Sequence, residues 1–272
     1  RTREVRWAGF VLAISLPFIL YLFDISPYVG QADTFEFQVV APILGVAHPS
    51  GYPLYTLIGK FFSLIPIGTV AWRVNLSSAV FAALASGVLF IALTERDGHY
   101  EVGSLLPGFG ALIASWALAC SPTLWSRAIE AEVYALNAFL VALALAVAVK
   151  WQRGTWPTSH AVPAFGLLIG VALASHVTLG ALALLGLVML LTVGTRPRVR
   201  TLLIAGALGL LGVALYLYIP VRWPAVTGGD RMSLGHFWRF VTNAESGGAL
   251  RPPAFIDDPG RWKLVGALIG RQ

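Results

Sequence analysis

Long apolar segments alternate with short polar ones along the whole chain. A helix needs roughly 17–25 mostly apolar residues to cross the hydrocarbon core of a bilayer, and these segments reach that length. We therefore predict an all-α, polytopic transmembrane helical bundle with seven spans and an eighth that begins near Lys263. The seven spans are predicted at about 7–23, 71–93, 105–122, 133–150, 161–176, 178–194 and 201–220.

Four clusters of basic residues flank the predicted spans: one precedes the first span, and the others follow the second, fourth and sixth. Cytoplasmic loops carry an excess of Lys and Arg, so an N-terminus in the cytoplasm places all four basic clusters on the cytoplasmic side. The segments 24–70, 121–132 and 221–262 and the turn around His176 then face outward, and they hold nearly all side chains capable of chemistry. The basic clusters are Arg1, Arg3 and Arg6; Arg96; Lys150 and Arg153; and Arg196, Arg198 and Arg200.

The first outward segment, 24–70, is expected to contain a helix of its own. In LYTLIGKFFSLI (54–65) apolar residues recur at helical spacing, with Lys60 and Ser63 on the opposite face. About 12 residues are too few to span, so this helix should lie in the interface or pack on neighbouring helices. Ser50 and Pro53 just before it indicate its start.

Composition supports a membrane protein. Hydrophobic residues make up 57% of the 272 and charged residues 12%, against roughly 25% charged in soluble domains. The net charge of +6 does not indicate nucleic-acid binding, because the basic residues flank apolar segments. The single cysteine, Cys120, excludes an internal disulfide and a CxxC metal site. We expect one transmembrane domain with a retained first span, forming the N-terminal part of a longer protein.

Two carboxylates stand out in the first outward segment. Asp33 and Glu36 lie three residues apart in QADTFEFQ, where a helix would place them on one face. Such a pair could bind a metal, or one carboxylate could take a proton from a hydroxyl. The sequence D-T-F-E also fits a helix N-cap with Glu at N3. The spacing leaves these interpretations open.

Polar residues in two further segments, 48–53 and 121–137, have both structural and functional interpretations. His48 lies in HPSGYP, a rigid turn, and is either a turn residue or a group that orients a phosphate or a sugar hydroxyl. Arg127 and Glu130, three apart, predict an intrahelical ion pair. Glu132 lies near the outer end of the fourth span, where an unpaired carboxylate is unfavourable, which predicts a partner or a function.

Two arginines lie in segments predicted to face outward, whereas the positive-inside rule favours basic residues on the cytoplasmic side. Arg73 opens the second span, and Arg222 follows the seventh in YIPVRWP. They either contact a lipid phosphate, or reach headgroups and carboxylates. His176, in ASHVTLG, is either a packing residue or part of a site. The sequence has no Walker loop, GxSxG, HExxH or CxxC, which disfavours ATP-driven and zinc-dependent classes.

Several stretches, in chain order, resemble a known family. They are the acidic outer segment, LGVAHPSGYPLYTLIGKFF, RVNLSSA, SPTLWSRAIEAEVYALN, ASHVTLG and YLYIPVR. Together they resemble the membrane-glycosyltransferase-like family of bacterial proteins, a former domain of unknown function that includes the animal endoplasmic-reticulum O-mannosyltransferase of plexin-type receptors. The resemblance covers nearly the whole chain, and HPxGYPLY and EAEVYALN are its most specific parts. It implies a GT-C fold with an outward active site and a sugar donor carried on polyprenyl or dolichyl phosphate.

The resemblance also implies site residues. In GT-C enzymes the acidic residue of the first outer loop is the catalytic base or orients the acceptor, which maps onto Asp33, with Glu36 as the neighbouring candidate. Relatives have a Gly-Asp-x-Gly-Glu-like sequence where this chain has GQADTFEF, so the choice between the two stays open. The residues expected to bind donor or acceptor are His48, Tyr52, Arg73, Arg127, Glu132, His176 and Arg222.

We therefore expect a membrane glycosyltransferase that moves a sugar, mannose being the candidate, from a lipid-phosphate carrier to a protein or glycan hydroxyl. Its partners would be that donor, that acceptor and membrane lipids, without nucleic acid, in a bacterial inner membrane. Whether a divalent metal takes part stays open. The alternative is a transporter or flippase of a lipid-linked substrate, which predicts ionisable residues in mid-span and paired broken helices.

Overall fold

The computed structural model describes residues 2–95, 106–176, 179–180 and 182–244, and this part of the chain is helical without strands. The expected span near Lys263 lies outside the described residues. The described α-helices are α1 (Thr2–Asp24), α2 (Ala32–Ile43), α3 (Pro53–Ser63), α4 (Val70–Leu93), α5 (Leu106–Ala119), α6 (Pro122–Ala128), α7 (Val133–Gln152), α8 (Thr158–Ser175), α9 (Leu182–Thr192), α10 (Val199–Val213), α11 (Tyr218–Thr227) and α12 (Leu234–Val241). A 3₁₀ turn, Ala214–Leu217, joins α10 to α11.

Five helical segments of the described chain are long and apolar enough to cross a membrane. They correspond to the first, second, fourth, fifth and seventh predicted spans, which confirms a polytopic transmembrane bundle. The protein is thus an integral membrane protein. The segments are Glu4–Asp24, Val70–Leu93, Val133–Gln152, Thr158–Ser175 and Val199–Thr227.

The third and sixth predicted spans contain shorter helices than expected. α5 ends at Ala119 and α6 begins at Pro122, and the two helices meet at 63°. Ser121 accepts a hydrogen bond from the Leu124 N–H and Pro122 occupies the first turn, so a new helix begins at this point. In the sixth span the described helix, α9, has 11 residues and is too short to span by itself.

Small side chains fill the interior of the bundle. α4 contacts both α1 and α7 and buries mainly alanine and serine, and Ser86 Oγ donates to the Ser115 carbonyl oxygen at 3.0 Å. α8 and α10 approach so closely that a Cβ on Gly170 would lie 2.1 Å from the Gly209 carbonyl oxygen. Large apolar side chains face outward instead, as Leu210 does with 71% exposure. This distribution is typical of helices that pack within a bilayer.

One end of the bundle is held together by a buried carboxylate. Glu95 accepts hydrogen bonds from Arg6 of α1, from Lys150 Nζ of α7 at 3.2 Å and from Thr155 Oγ1 at 2.9 Å. Burial alone would raise the pKa of Glu95, but these bonds outweigh it and lower that pKa below its usual range. We call this the basic end. The start of α1 and the ends of α4 and α7 meet there, and the opposite end, where Asp33 and Glu132 lie, is called the polar end.

The segment 24–70, which the sequence predicts to face outward, contains two helices. The sequence predicted α3 and left α2 open. α3 begins at Pro53, as predicted, and ends at Ser63. Tyr55 and Gly59 are among its buried residues, Ile58 and Phe62 of the apolar stripe pack against the core of the bundle, and Phe61 is 70% exposed. α2 contacts α3 and α4 and carries both candidate carboxylates.

Candidate active site at the polar end

Four segments meet at the polar end: the start of α2, the turn 48–52, the junction of α6 and α7, and the end of α8. The charges of Asp33 and Glu132 both act on the imidazole of His48. The Tyr52 ring lies between His48 and His176, with centroids 4.9 Å and 5.8 Å away. The structure therefore brings together Asp33, Glu36, His48, Tyr52, Arg127, Glu132 and His176.

Glu36 joins α2 to the turn through two hydrogen bonds with His48. One carboxylate oxygen accepts from the His48 main-chain N–H at 2.8 Å, and the other accepts from ring Nδ1. The hydrogen bond and negative charge of Glu36 raise the pKa of His48, and burial opposes this to a smaller extent. Burial acts to raise the pKa of Glu36, but the bonds with His48 outweigh it and lower that pKa. Glu36 thereby fixes both the position and the orientation of the imidazole.

The helix-cap interpretation of D-T-F-E is wrong. α2 begins at Ala32, and its N-cap residue is Gln31, whose side chain makes no capping hydrogen bond. Glu36 is bound to His48 rather than to the N–H of a capping residue. Asp33 lies in the first turn, where a helix N-terminus favours a negative charge.

Asp33 is the exposed member of this cluster, and no described residue hydrogen-bonds its carboxylate. Its carboxylate, that of Glu36 and a ring nitrogen of His48 offer ligand atoms that all lie within 4.8 Å of one another. Two carboxylates and an imidazole suit Zn²⁺ and related divalent ions. These three residues could therefore hold a metal, provided that Glu36 and His48 give up their mutual hydrogen bond.

Glu132 is buried at the start of α7 and is paired with Arg127. Arg127 Nη1 donates to Glu132 Oε1 at 3.3 Å, and its guanidinium lies 5.2 Å from the centre of the Tyr134 ring. The predicted ion pair between Arg127 and Glu130 is wrong, because α6 ends before residue 130 and the two no longer share a helix face. Burial raises the pKa of Glu132 to about 7; Arg127 opposes this, and the charges of Asp33 and Glu130 reinforce it.

Aromatic rings and hydroxyl groups pack beside the cluster and are joined to it by hydrogen bonds. Phe37 lies edge-on to Tyr52 and Tyr55, with centroids 5.5 Å and 4.8 Å away. The Tyr55 hydroxyl hydrogen-bonds Ser78 Oγ at 3.0 Å, and Ser78 Oγ accepts from the Glu132 N–H at 3.2 Å. Burial raises the pKa of Tyr52 to about 12, so its hydroxyl is neutral at physiological pH. These contacts tie α2, α3, α4 and α7 into one support.

The two histidines of the cluster are perturbed in opposite directions. His176 follows the last residue of α8, and burial and the charge of His48 lower its pKa. The pKa of His48 is raised by Glu36. Titratable groups with pKa values pushed apart by their surroundings are typical of acid–base sites.

Arg73 and Arg222 make their contacts outside this cluster. Arg222 Nε donates to the Leu44 carbonyl oxygen at 2.7 Å, and Lys60 Nζ donates to that of Pro42 at 2.6 Å. Both cations therefore lie at the C-terminus of α2, where the helix dipole favours positive charge. Arg73 donates to the carbonyl oxygen of Ser63, the last residue of α3, at 2.7 Å, and to carbonyl oxygens in the loop that follows. Both arginines hold the ends of polar-end helices in place.

Two buried amides to which the sequence analysis gave no role position the start of α2. Gln38 Oε1 accepts from the Gly30 N–H at 2.9 Å, and Gln38 Nε2 donates to Asn75 Oδ1 at 2.8 Å. Asn75 Nδ2 donates to the Ser26 carbonyl oxygen at 3.1 Å. The sequence did contain a signal for these contacts. Asn75 is an amide near the start of an apolar span, and a buried amide requires a hydrogen-bond partner.

An apolar cavity of about 360 Å³ between α8, α9 and α10 lies apart from the cluster. Its lining includes Trp151, Phe165 and Leu187 and contains no charged side chain. It offers no group for proton transfer or for contact with a phosphate. The polar end therefore remains the candidate active site.

The fold and this cluster define a class of protein: a polytopic membrane protein with an acid–base cluster at one end of its helical bundle. Residues 33–200 match the family described as the protein O-mannosyl-transferase TMEM260 N-terminal domain. The matched range begins at Asp33 and covers more than half of the chain. The chain belongs to this family.

Two curated relatives agree with this assignment. The mouse protein O-mannosyl-transferase TMEM260 is 30% identical over 224 residues, which are 76% of this chain and 30% of the relative. The Dictyostelium discoideum protein O-mannosyl-transferase tmem260 is 32% identical over 138 residues, which are 50% of this chain and 16% of the relative. The chain thus spans less than a third of these relatives' length. No solved structure matches the chain.

Proposed function

We propose that the protein is a GT-C-type membrane glycosyltransferase that moves mannose from a polyprenyl- or dolichyl-phosphate carrier to a protein hydroxyl. The observation that carries this proposal is the exposed Asp33 carboxylate beside the Glu36–His48 pair. This cluster lies where the family match begins. Both relatives described above are named protein O-mannosyl-transferase.

A lipid-phosphate donor suits the position of the cluster. Glu132 directly precedes the span-length helix α7 and His176 directly follows the span-length helix α8. The ends of such helices lie at the depth of a lipid phosphate in a bilayer. Arg127 is the arginine bound to a member of the cluster, Glu132, so we assign it the first contact with the phosphate. Arg73 and Arg222 would contribute less, since their guanidinium groups hold main-chain carbonyl oxygens.

Asp33 is the group proposed to meet the acceptor. Its carboxylate either takes the hydroxyl proton or orients the hydroxyl by accepting a hydrogen bond. Glycosyl transfer passes through a transition state with positive charge on the sugar ring, which nearby carboxylates stabilise. Glu36 is less suited to the acceptor because both of its oxygens are bound to His48. Tyr52 and His176 would line the pocket for the sugar.

We place the N-terminus in the cytoplasm and the site on the extracytoplasmic side. The basic end joins Arg6, Lys150 and Glu95, and the positive-inside rule assigns such an end to the cytoplasm. In a bacterial inner membrane the polar end would face outward.

The test is transfer by the purified full-length protein in liposomes. Polyprenyl-phosphate mannose and a nucleotide-linked mannose are offered separately with an acceptor peptide, and the added hexose is measured by mass spectrometry. We expect transfer from the lipid donor alone. Transfer from the nucleotide sugar alone would refute the donor assignment. Movement of the lipid-linked sugar across the membrane without transfer would favour the transporter.

A further inference from the structure

Within the described part of the chain, one nitrogen of the His48 imidazole is hydrogen-bonded and the other has no partner. An ionised carboxylate can only accept hydrogen bonds, so Nδ1 carries the hydrogen in the bond with Glu36. In the neutral ring the lone pair then lies on Nε2. The His48 side chain is 34% exposed, so the ring is accessible to a bound substrate.

The ring is held in a defined orientation by more than this bond. Glu36 also accepts from the main-chain N–H of His48, and the ring centroids of Tyr52 and Phe37 lie 4.9 Å and 6.3 Å away. Catalytic bases are commonly oriented in this way, with a carboxylate on one ring nitrogen and the reacting proton at the other.

Carboxylates surround the His48 ring and can offset the positive charge that it gains with a proton. Glu36 is hydrogen-bonded to the ring, and Asp33 and Glu132 lie close enough for their charges to act on it. The titratable groups around the ring are Asp33 and Glu36 from α2, Tyr52 before α3, Glu132 before α7 and His176 at the end of α8.

We propose that His48 Nε2 takes the proton of the acceptor hydroxyl, with Glu36 as its positioning residue and Asp33 orienting the acceptor. This inference rests on the proposed function. The acceptor O–H bond breaks, its proton moves to Nε2, and the oxygen bonds to C1 of the sugar. The bond from C1 to the phosphate oxygen breaks, and its electron pair leaves with the lipid phosphate. The carboxylates stabilise both the imidazolium and the positive charge on the sugar ring.

Chemical rescue distinguishes His48 acting as a base from a structural role. The full-length protein is assayed in liposomes with polyprenyl-phosphate mannose and an acceptor peptide. His48→Ala should lower kcat by about 10²–10⁴-fold with KM nearly unchanged, and added imidazole should restore part of the lost kcat. Glu36→Gln should lower kcat without a response to imidazole, because the ring is still present and has lost only the bond that orients it.

His160→Ala is the matched control, because this histidine is exposed at the start of α8, at the basic end. Its kcat should equal that of the wild type with or without imidazole, and His48→Ala should still bind unglycosylated polyprenyl phosphate. Transfer by His48→Ala at the wild-type rate, or a loss that imidazole leaves unchanged, would overturn the inference but leave the proposed function intact. Loss of transfer with EDTA and its return with Mn²⁺ would also overturn it, since the cluster would then act through a metal. A wild type without transfer would refute the proposed function, and this inference with it.

Discussion

Gly51 lies in the turn that carries His48, and a substitution there should disturb the site in a defined way. Its φ is +90°, in the left-handed region that favours glycine, and its N–H donates to the His48 carbonyl oxygen at 2.7 Å. An added Cβ would lie 2.5 Å from Ile219 Cδ1 and 3.2 Å from the Phe240 ring. Gly51→Ala therefore introduces backbone strain and a close contact together.

The two effects can be given magnitudes. A non-glycine residue in the left-handed region costs about 1–2 kcal/mol. The contact with Ile219 Cδ1 must widen from 2.5 Å to at least 3.4 Å, a displacement of 0.9 Å, and overpacking of this kind costs about 1–3 kcal/mol. Because the Ile219 methyl can move, we expect the unfolding free energy to fall by about 2–4 kcal/mol in total. Since a 1 Å misplacement can reduce a rate about 10²-fold, kcat should fall by about 10–100-fold.

Gly154→Ala is the matched control for this prediction. Gly154 has a φ of +70°, and an added Cβ there has no atom within 4 Å, so the variant carries the strain without the contact. Thermal unfolding in detergent and transfer rates in liposomes are measured for both variants. If Gly51→Ala matches Gly154→Ala in stability and in rate, the contact between the turn and α11 is refuted.

Three further substitutions test other parts of the structure. The pKa of Glu132 is raised from 4.5 to about 7. Between these pH values the folded protein keeps a proton that the unfolded protein has lost. The stability of the wild type should therefore fall as pH rises from 4.5 to 7. Glu132→Gln should remove this fall and be the more stable protein at pH 8, and denaturation curves that differ equally at pH 4 and pH 8 would contradict it. Gly170→Ala should destabilise the protein by about 1–3 kcal/mol because its Cβ would lie 2.1 Å from the Gly209 carbonyl oxygen, whereas Gly206→Ala has no atom within 4 Å; equal melting temperatures would refute the close approach of α8 and α10. Glu95→Gln should cost about 1–3 kcal/mol at neutral pH by leaving two cations without their counter-charge. The pKa of Glu95 is lower in the folded than in the unfolded protein, so its ionised form stabilises the fold at pH values above 4.5. The difference between the two proteins should therefore shrink as pH falls below 4.5 and the carboxylate becomes protonated. An unchanged melting temperature at pH 7 would contradict this prediction.

The apolar pattern predicted the long helices well, because twenty apolar residues in a bilayer have few alternatives to a helix. The fourth span was expected at 133–150, and α7 runs from Val133 to Gln152. The third was expected at 105–122 and instead ends at Ala119, since averaging over a span hides a break of two residues. Ser121 and Pro122 carried the signal for that break, a cap followed by a helix start.

The sequence singled out most of the polar residues that the structure brings together at the polar end, but it did not predict how they pair with one another. The Glu36–His48 hydrogen bonds join residues 12 apart in different elements, and their formation depends on how α2 packs. Arg73 and Arg222 were predicted to contact a lipid phosphate, or headgroups and carboxylates, and both instead donate to main-chain carbonyl oxygens. A guanidinium group meets negative partial charge both at a helix C-terminus and at a phosphate. The Leu44 carbonyl that Arg222 contacts lies 178 positions away in the chain, so the sequence could not show whether Arg222 binds this carbonyl or a lipid headgroup.

The most direct test of the proposed site compares wild type, Asp33→Asn and Asp230→Asn in the same liposomes, with hexose addition to an acceptor peptide measured by mass spectrometry. Asp230 is exposed just after α11 and lies outside the cluster, so it controls for loss of a surface carboxylate. We predict transfer by the wild type and by Asp230→Asn, and a loss of at least about 10²-fold in Asp33→Asn. Transfer by Asp33→Asn at the wild-type rate would contradict the assigned site, and the absence of transfer by the wild type would contradict the function.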